Sequence, residues 1–213
     1  MALGLRKVPI LARGKDYVFA VDLDAVAKFV GLKDTGMTRL PPEVLVQRLV
    51  AILRTAQSVI GQIPNEKLNQ DAIHNRKRDL RLLSHHVFRI GEAWLEVAID
   101  GVPFSRGIGE KQLAEGEFRT TEEIVQYGDD VITRIEKWWK DVEKGDSRAY
   151  FKRGNEAYFG QADLHMLFER STWHPAQHTR QLTSLLEGWD IPVKKQLTPE
   201  VLDGLPLPER LWE

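Results

Sequence analysis

Apolar residues recur at spacings of three and four in four long stretches of this chain, and that recurrence predicts four amphipathic helices. Residues 43–63 carry Val44, Leu45, Leu49, Ile52, Leu53, Ala56, Val59 and Ile60 behind Pro41 and Pro42, whose missing N–H groups cost little at a helix start. Residues 78–99 carry Leu82, Leu83, Ile90, Trp94 and Val97, then meet Gly101 and Pro103, which stop a helix. Residues 121–142 open on a threonine with acidic residues in the first turn, where the helix dipole favours them. Residues 161–186 form the fourth and longest stretch, closed by Gly188. Helices of about five to seven turns with connections that can cross an end of the molecule predict a mainly α fold, a four-helix bundle. The joints 64–77, 103–119 and 145–160 are longer than bundle loops usually are, so they are expected to build the mouth of a site.

The opening of the chain follows a different rule. Val8 to Ala12 and Tyr17 to Ala20 are short apolar runs around Arg13, Gly14, Lys15 and Asp16, which predicts a β-hairpin. Asp22 then caps an amphipathic run of Leu23, Val26, Ala27, Phe29 and Val30 that ends at Gly31. A hairpin and one helix bury too little to make a core alone. The expected division is a segment over residues 1–33 and the bundle with its C-terminal tail over residues 34–213.

Length and composition narrow the chemistry. A chain of 213 residues can bury one good-sized core, roughly 70% of its extended surface. With no cysteine, disulfide scaffolds, thiolate metal cages and cysteine nucleophiles are excluded, and any thiol must arrive with a ligand. Lys and Arg number 30 against 31 Asp and Glu, which is not the basic balance of a protein that binds nucleic acid. Arg76, Lys77, Arg78 and Arg81 cluster at the start of the second stretch and read as a solvated helix flank. No apolar run approaches the length of about 18 residues that spans a membrane, and no secretory signal pattern opens the chain, so a cytoplasmic location is expected.

Of the six histidines, His174 and His178 are the most informative. A four-residue interval puts both on one helix face about a turn apart, close enough to share one ion. A third ligand has to come from another helix, and His85 and His86 offer one. The apolar stripe lies at offsets −4, −3, +4, +8 and +11 from His86, a better helical fit than from His85, which remains the alternative. Neutral imidazoles suit zinc and nickel, and three of them leave a coordination position for water or substrate. Pro175 lies between the pair and deletes a helical hydrogen bond, so a kink or restart is expected near residues 171–174. His165 faces away from the pair, and His74 falls in a joint.

An inward histidine in the second helix, within Leu82-Leu83-Ser84-His85-His86-Val87-Phe88, and the run Trp173-His174-Pro175-Ala176-Gln177-His178-Thr179-Arg180-Gln181-Leu182 in the fourth resemble the DinB-like superfamily of metal-binding four-helix bundles. The resemblance covers about residues 40–190 and implies His86, His174 and His178 as ligands of a divalent metal. The proline inside the histidine pair departs from the family pattern. The opening segment looks like the second half of a glutaredoxin-like fold, with Val8 and Pro9 entering a strand and Asp22 opening the last helix. That resemblance implies Val8, Pro9 and Asp22 as contacts for the γ-glutamyl arm of glutathione. The cysteine-bearing first half is absent, and Met1 to Leu5 read as the end of a helix, so a truncated fold is expected.

Together these readings predict a metal-dependent enzyme acting with a low-molecular-weight thiol such as glutathione, of transferase or isomerase type. Gln181 and Arg180 are candidates for supporting His178. A hydrolase using the metal to activate water is a second reading, although Glu169 and Glu187 are poorly placed as its base. A non-catalytic metal-binding stress or ligand-sequestering protein is a third. Six tryptophans raise the expectation of a homodimer, and the C-terminal tail, with its prolines and apolar end, is expected to lie across the bundle.

Overall fold

The computed structural model describes residues 10–20, 23–33, 39–73, 76–105, 107–110, 113–114 and 116–212. Its contacts divide the chain into two compact units, Met1–Arg39 and Leu40–Glu213. In the first, strands β1 (Ile10–Arg13) and β2 (Asp16–Phe19) pair antiparallel with Arg13 opposite Asp16. Gly14 takes φ +66°, the left-handed value needed at the first central residue of a type II′ turn. Helix α1 (Leu23–Val30) follows, with Ala27 buried and the Arg13 guanidinium 5.3 Å from the centre of the Phe29 ring. Val8, Pro9 and Asp22, implicated above in binding glutathione, lie outside the described residues, as does His74.

The second unit is mainly helical, with small antiparallel strand pairs. It runs α2 (Pro42–Ile60), β3 (Asp71–Ile73), β4 (Arg76–Asp79), α3 (Leu80–Asp100), α4 (Thr121–Glu143), α5 (Ser147–Phe151), β5 (Gly154–Ala157), β6 (Gly160–Asp163), α6 (Leu164–Gly188) and α7 (Pro199–Leu202). Helices α2, α3, α4 and α6 are the four periodic stretches. Their starts obey local chemistry: the Asp79 carboxylate accepts from the Leu82 N–H at 2.7 Å, and Asp163 accepts from the Met166 N–H at 2.7 Å. The two strand pairs in the long joints were not predicted, because three or four residues are too few to show a period. Consequently the basic run at Arg76 is strand β4 and not the helix flank expected of it.

Helix α6 also departs from expectation, since it is continuous from Leu164 to Gly188 through Pro175. Packing holds it together: α6 lies against both α2 and α3, and Pro175 and Ala176 are buried. The Pro175 carbonyl accepts from the Thr179 hydroxyl at 2.8 Å.

End-to-end contacts fix the helix directions. His165 Nε2 donates to the Leu40 carbonyl at 2.8 Å, joining the starts of α2 and α6, while Gln62 just past α2 bonds to Pro192 and Lys194 just past α6. These two helices are therefore parallel. Helices α3 and α4 begin where those two end: the Leu80 N–H donates to the Gln70 carbonyl, and the Thr121 N–H to Asn65 Oδ1. Because α3 and α4 are parallel to each other, the chain between them, residues 101–120, has to return along the molecule. Near its start it bonds to the β5–β6 hairpin, where the Phe104 N–H donates to the Glu156 carbonyl at 2.7 Å.

A shared core fills the space between the four long helices. Trp94 on α3 packs on Phe168 of α6 with ring centres 4.5 Å apart and on Trp138 of α4 at 5.4 Å. Tryptophans 94 and 138 thus belong to the core, where burial of large rings contributes most. Two glycines set how closely α3 and α4 approach. A Cβ on Gly91 would sit 3.1 Å from Ile135 and Val131, and one on Gly128 would sit 2.5 Å from the Phe88 ring.

Overpacking of that kind costs about 1–3 kcal/mol, against about 1 kcal/mol recovered from helix propensity on replacing glycine by alanine. Gly128→Ala is accordingly expected to lower the unfolding free energy in urea, and adding Phe88→Leu to restore part of it. A Gly128→Ala chain as stable as the wild type would contradict this close approach.

Candidate metal centre

The antiparallel contact between α3 and α6 brings the second turn of α3 level with the middle of α6. There His86, His174 and His178 converge, with one ring nitrogen of each within 4.8 Å of the others. The Nε2 atoms of His174 and His178 are 3.1 Å apart. Two nitrogens on one tetrahedral zinc keep about 3.3 Å, so the α6 pair already has the spacing of ligands on a shared ion. His86 presents its ring edge-on to both, with centroids 5.3 Å from His174 and 5.1 Å from His178. The group could hold a metal ion.

Outer partners set which nitrogen of two of the rings is free. Nδ1 of His86 donates to the Gly109 carbonyl at 2.7 Å, and Nδ1 of His178 faces Gln181 Oε1 at 2.7 Å. A carbonyl oxygen can only accept, so both rings carry their proton on Nδ1 and turn an Nε2 lone pair to the centre. This is the tautomer that metal ligation needs.

Burial determines the charge state. His86 is buried, and that burial, aided by the charges of His178 and Arg78 and opposed by the Gly109 bond, pushes its pKa down to about 3. Burial likewise lowers His178 to about 4 against the Gln181 bond, with Arg78 adding to the effect. His174 is held well below the ordinary imidazole value by burial first, then by His178, His86, Arg170 and Arg78. All three are neutral at ordinary pH, so a metal ion has no protons to displace from its ligand atoms on His86 and His178.

His86 and its neighbour His85 are both buried, but only His86 joins the cluster. Adjacent helical residues point about 100° apart, and His85 turns toward α4. There it stacks on Tyr127 at 5.0 Å and 13° and packs on Phe118 at 4.8 Å. The Tyr127 hydroxyl donates to Glu92, whose carboxylate also meets Arg89 and Arg134. His165 faces away, on the Leu40 carbonyl. Glu187 bonds to Gln196, and no carboxylate joins the cluster among the described residues. Gln181 meets His178 directly, whereas Arg180 bonds to Gln177 and to the Pro208 carbonyl.

Sequence reasoning missed Gly109, Arg78 and Arg170. A backbone carbonyl carries no side-chain signal, so Gly109 could not have been found. Arg170 could have been: it precedes His174 by one helical turn, on the same face. Its guanidinium lies 5.3 Å from the Trp173 ring centre, and burial lowers its pKa. No family model, curated protein or solved structure matches the chain.

These charge states fix a pH dependence. In the unfolded chain the histidines take up protons below about 6.5, but folded His86 and His178 stay neutral to about 3 and 4. Stability is thus complete above 6.5 and falls as the pH drops, because the unfolded state binds more protons there. The melting temperature of chelator-treated protein is expected to fall from pH 7 to 5 in calorimetry, above the carboxylate range. His86→Leu should flatten that fall, and a wild-type midpoint constant over the window would contradict the buried neutral rings.

Proposed function

We propose that this protein is a metal-dependent enzyme acting with a low-molecular-weight thiol such as glutathione, of transferase or isomerase type, on a DinB-like four-helix bundle. The observation that carries the reading is the set of three converging imidazoles joined by no further histidine or carboxylate among the described residues. An all-nitrogen donor set of this kind suits zinc or nickel. When bound, the ion supplies a Lewis-acidic centre with a free position, which lowers the pKa of a coordinated thiol.

The chain's own residues favour a thiol over water. Metal-dependent hydrolases commonly add a carboxylate that moves the protons of the bound water, and none joins the cluster among the described residues. A thiol, being far more acidic than water, loses its proton without such a base. The charge of Arg170 bears on His174 and favours an anion at the site. Glutathione is anionic, with carboxylates that a guanidinium can grip, and the Arg170 guanidinium, which packs on Trp173, acts electrostatically on His174. A metal with a purely structural role would have its positions filled by protein, so a cluster that gains no fourth histidine or carboxylate among the described residues favours catalysis.

The test is turnover of a reactive aryl halide with glutathione. Activity is expected to disappear on complete metal removal, to return with zinc, and to be lost in His174→Ala. Arg170→Met is expected to raise the KM for glutathione about tenfold, the size of one charge-assisted hydrogen bond, with a smaller change in kcat. Activity unaffected by complete metal removal would overturn the mechanism, and product formed without thiol would favour the hydrolase.

A further inference from the structure

Three neighbouring residues of α6 are all bonded to one short stretch of chain beyond α7. Gln181 Nε2 donates to the Leu211 carbonyl at 2.9 Å. Gln177 Nε2 donates to the same carbonyl at 2.8 Å and to that of Arg210 at 3.3 Å. Arg180 Nη1 donates to the Pro208 carbonyl at 3.1 Å and to Gln177 Oε1 at 2.8 Å. Both glutamines are buried, so a lost partner would leave a polar group without water.

The consequence reaches the metal centre through the Gln181 amide. An amide can present its oxygen or its NH2 to a neighbour, and the choice is made by what lies on its other side. Here the other side is a carbonyl oxygen, which only accepts. A flipped amide would set its own oxygen against that of Leu211, so the NH2 must face Leu211 and Oε1 must face His178. Oε1 then accepts the His178 Nδ1 proton and leaves Nε2 as a lone pair beside His174.

We propose that residues 208–211 are a working part of the metal centre, in which the Leu211 carbonyl, acting through Gln181 as a positioning residue, fixes the tautomer and aim of His178. His86 receives the same support from Gly109 directly, whereas His178 receives it at one remove, from a segment more than 25 residues further along the chain. By linkage the effect is reciprocal: if the tail favours metal binding, metal binding holds the tail. The proposal rests on the metal reading above, but it concerns binding and geometry and not the reaction.

Zinc affinity of the full chain, measured against a competing chelator, is the primary readout. Gln181→Leu is expected to weaken zinc binding about 10–100-fold, the usual loss for an outer partner of a ligating histidine. Gln181→Glu keeps an acceptor for Nδ1 but sets an oxygen against the Leu211 carbonyl, so it should retain the His178 tautomer while losing the hold on the tail. Gln177→Leu bonds to no histidine but loosens Leu211, and is expected to lose several-fold in affinity. In the wild type, zinc should slow amide exchange over residues 209–212, and Gln181→Leu should abolish that slowing. Nitrogen NMR of metal-free protein should show His178 protonated at Nδ1 in the wild type and a mixture of tautomers in Gln181→Leu. If Gln181→Leu does not fold, Gln177→Leu and the exchange experiment on the wild type decide the matter. A wild type that binds zinc while both leucine variants bind equally tightly, or while tail exchange ignores zinc, overturns this proposal alone. A wild type that takes up no ion overturns the metal centre and this proposal with it.

Discussion

The antiparallel packing of α3 on α6 is the constraint on which the site depends. It sets His86 level with His174 and His178, and it removes all three rings from water far enough to keep them neutral. A helical slip of one residue would turn His85 toward α6 and leave His86 facing elsewhere. What resists such a slip is the rest of the core. Trp94, two turns beyond His86, is held between Phe168 and Trp138, and Gly91 and Gly128 let α4 lock the opposite side of α3. The placement of the imidazoles is therefore inherited from apolar packing, and their depressed pKa values follow from the same burial.

Helix direction accounts for the long joints. Since α3 and α4 are parallel, residues 101–120 have to travel the length of the molecule, and on that path Gly109 passes His86 within hydrogen-bonding distance. The β5–β6 hairpin steadies the crossover near its start, at Phe104. The connection that topology requires thus supplies the outer partner of one histidine of the cluster. The C-terminal stretch at Leu211 lies behind the outer partner of another.

The helices were legible in the sequence because their apolar stripes run for many turns, and His86 was legible because it shares such a stripe. The stripe identified direction and not burial. His85 is equally buried but belongs to the α4 side, with Tyr127 and Phe118. Two kinds of feature left no trace. The strand pairs β3–β4 and β5–β6 are too short and too polar for a period to emerge, so the basic run at Arg76 passed for a helix flank. The partners supplied by Gly109 and Leu211 are backbone carbonyls, which any residue type provides. Pro175 misled in the other direction: its local cost is real, yet burial of α6 between α2 and α3 outweighs it and keeps the helix continuous.

Charge balance links the ligand set to the choice of ligand. Three neutral imidazoles leave the full positive charge of a divalent ion uncompensated, unlike sites that include a carboxylate or thiolate of the protein. Arg170 adds its charge beside His174, and no carboxylate is grouped with the three histidines among the described residues. In surroundings of low dielectric such a centre favours an anion in its open position far more than a neutral molecule. A thiol meets the demand by losing its proton at little cost, and it brings the sulfur that a chain without cysteine does not have. On the function proposed above, the missing cysteine and the lack of a carboxylate in the cluster among the described residues are both consistent with an anion that arrives with the substrate.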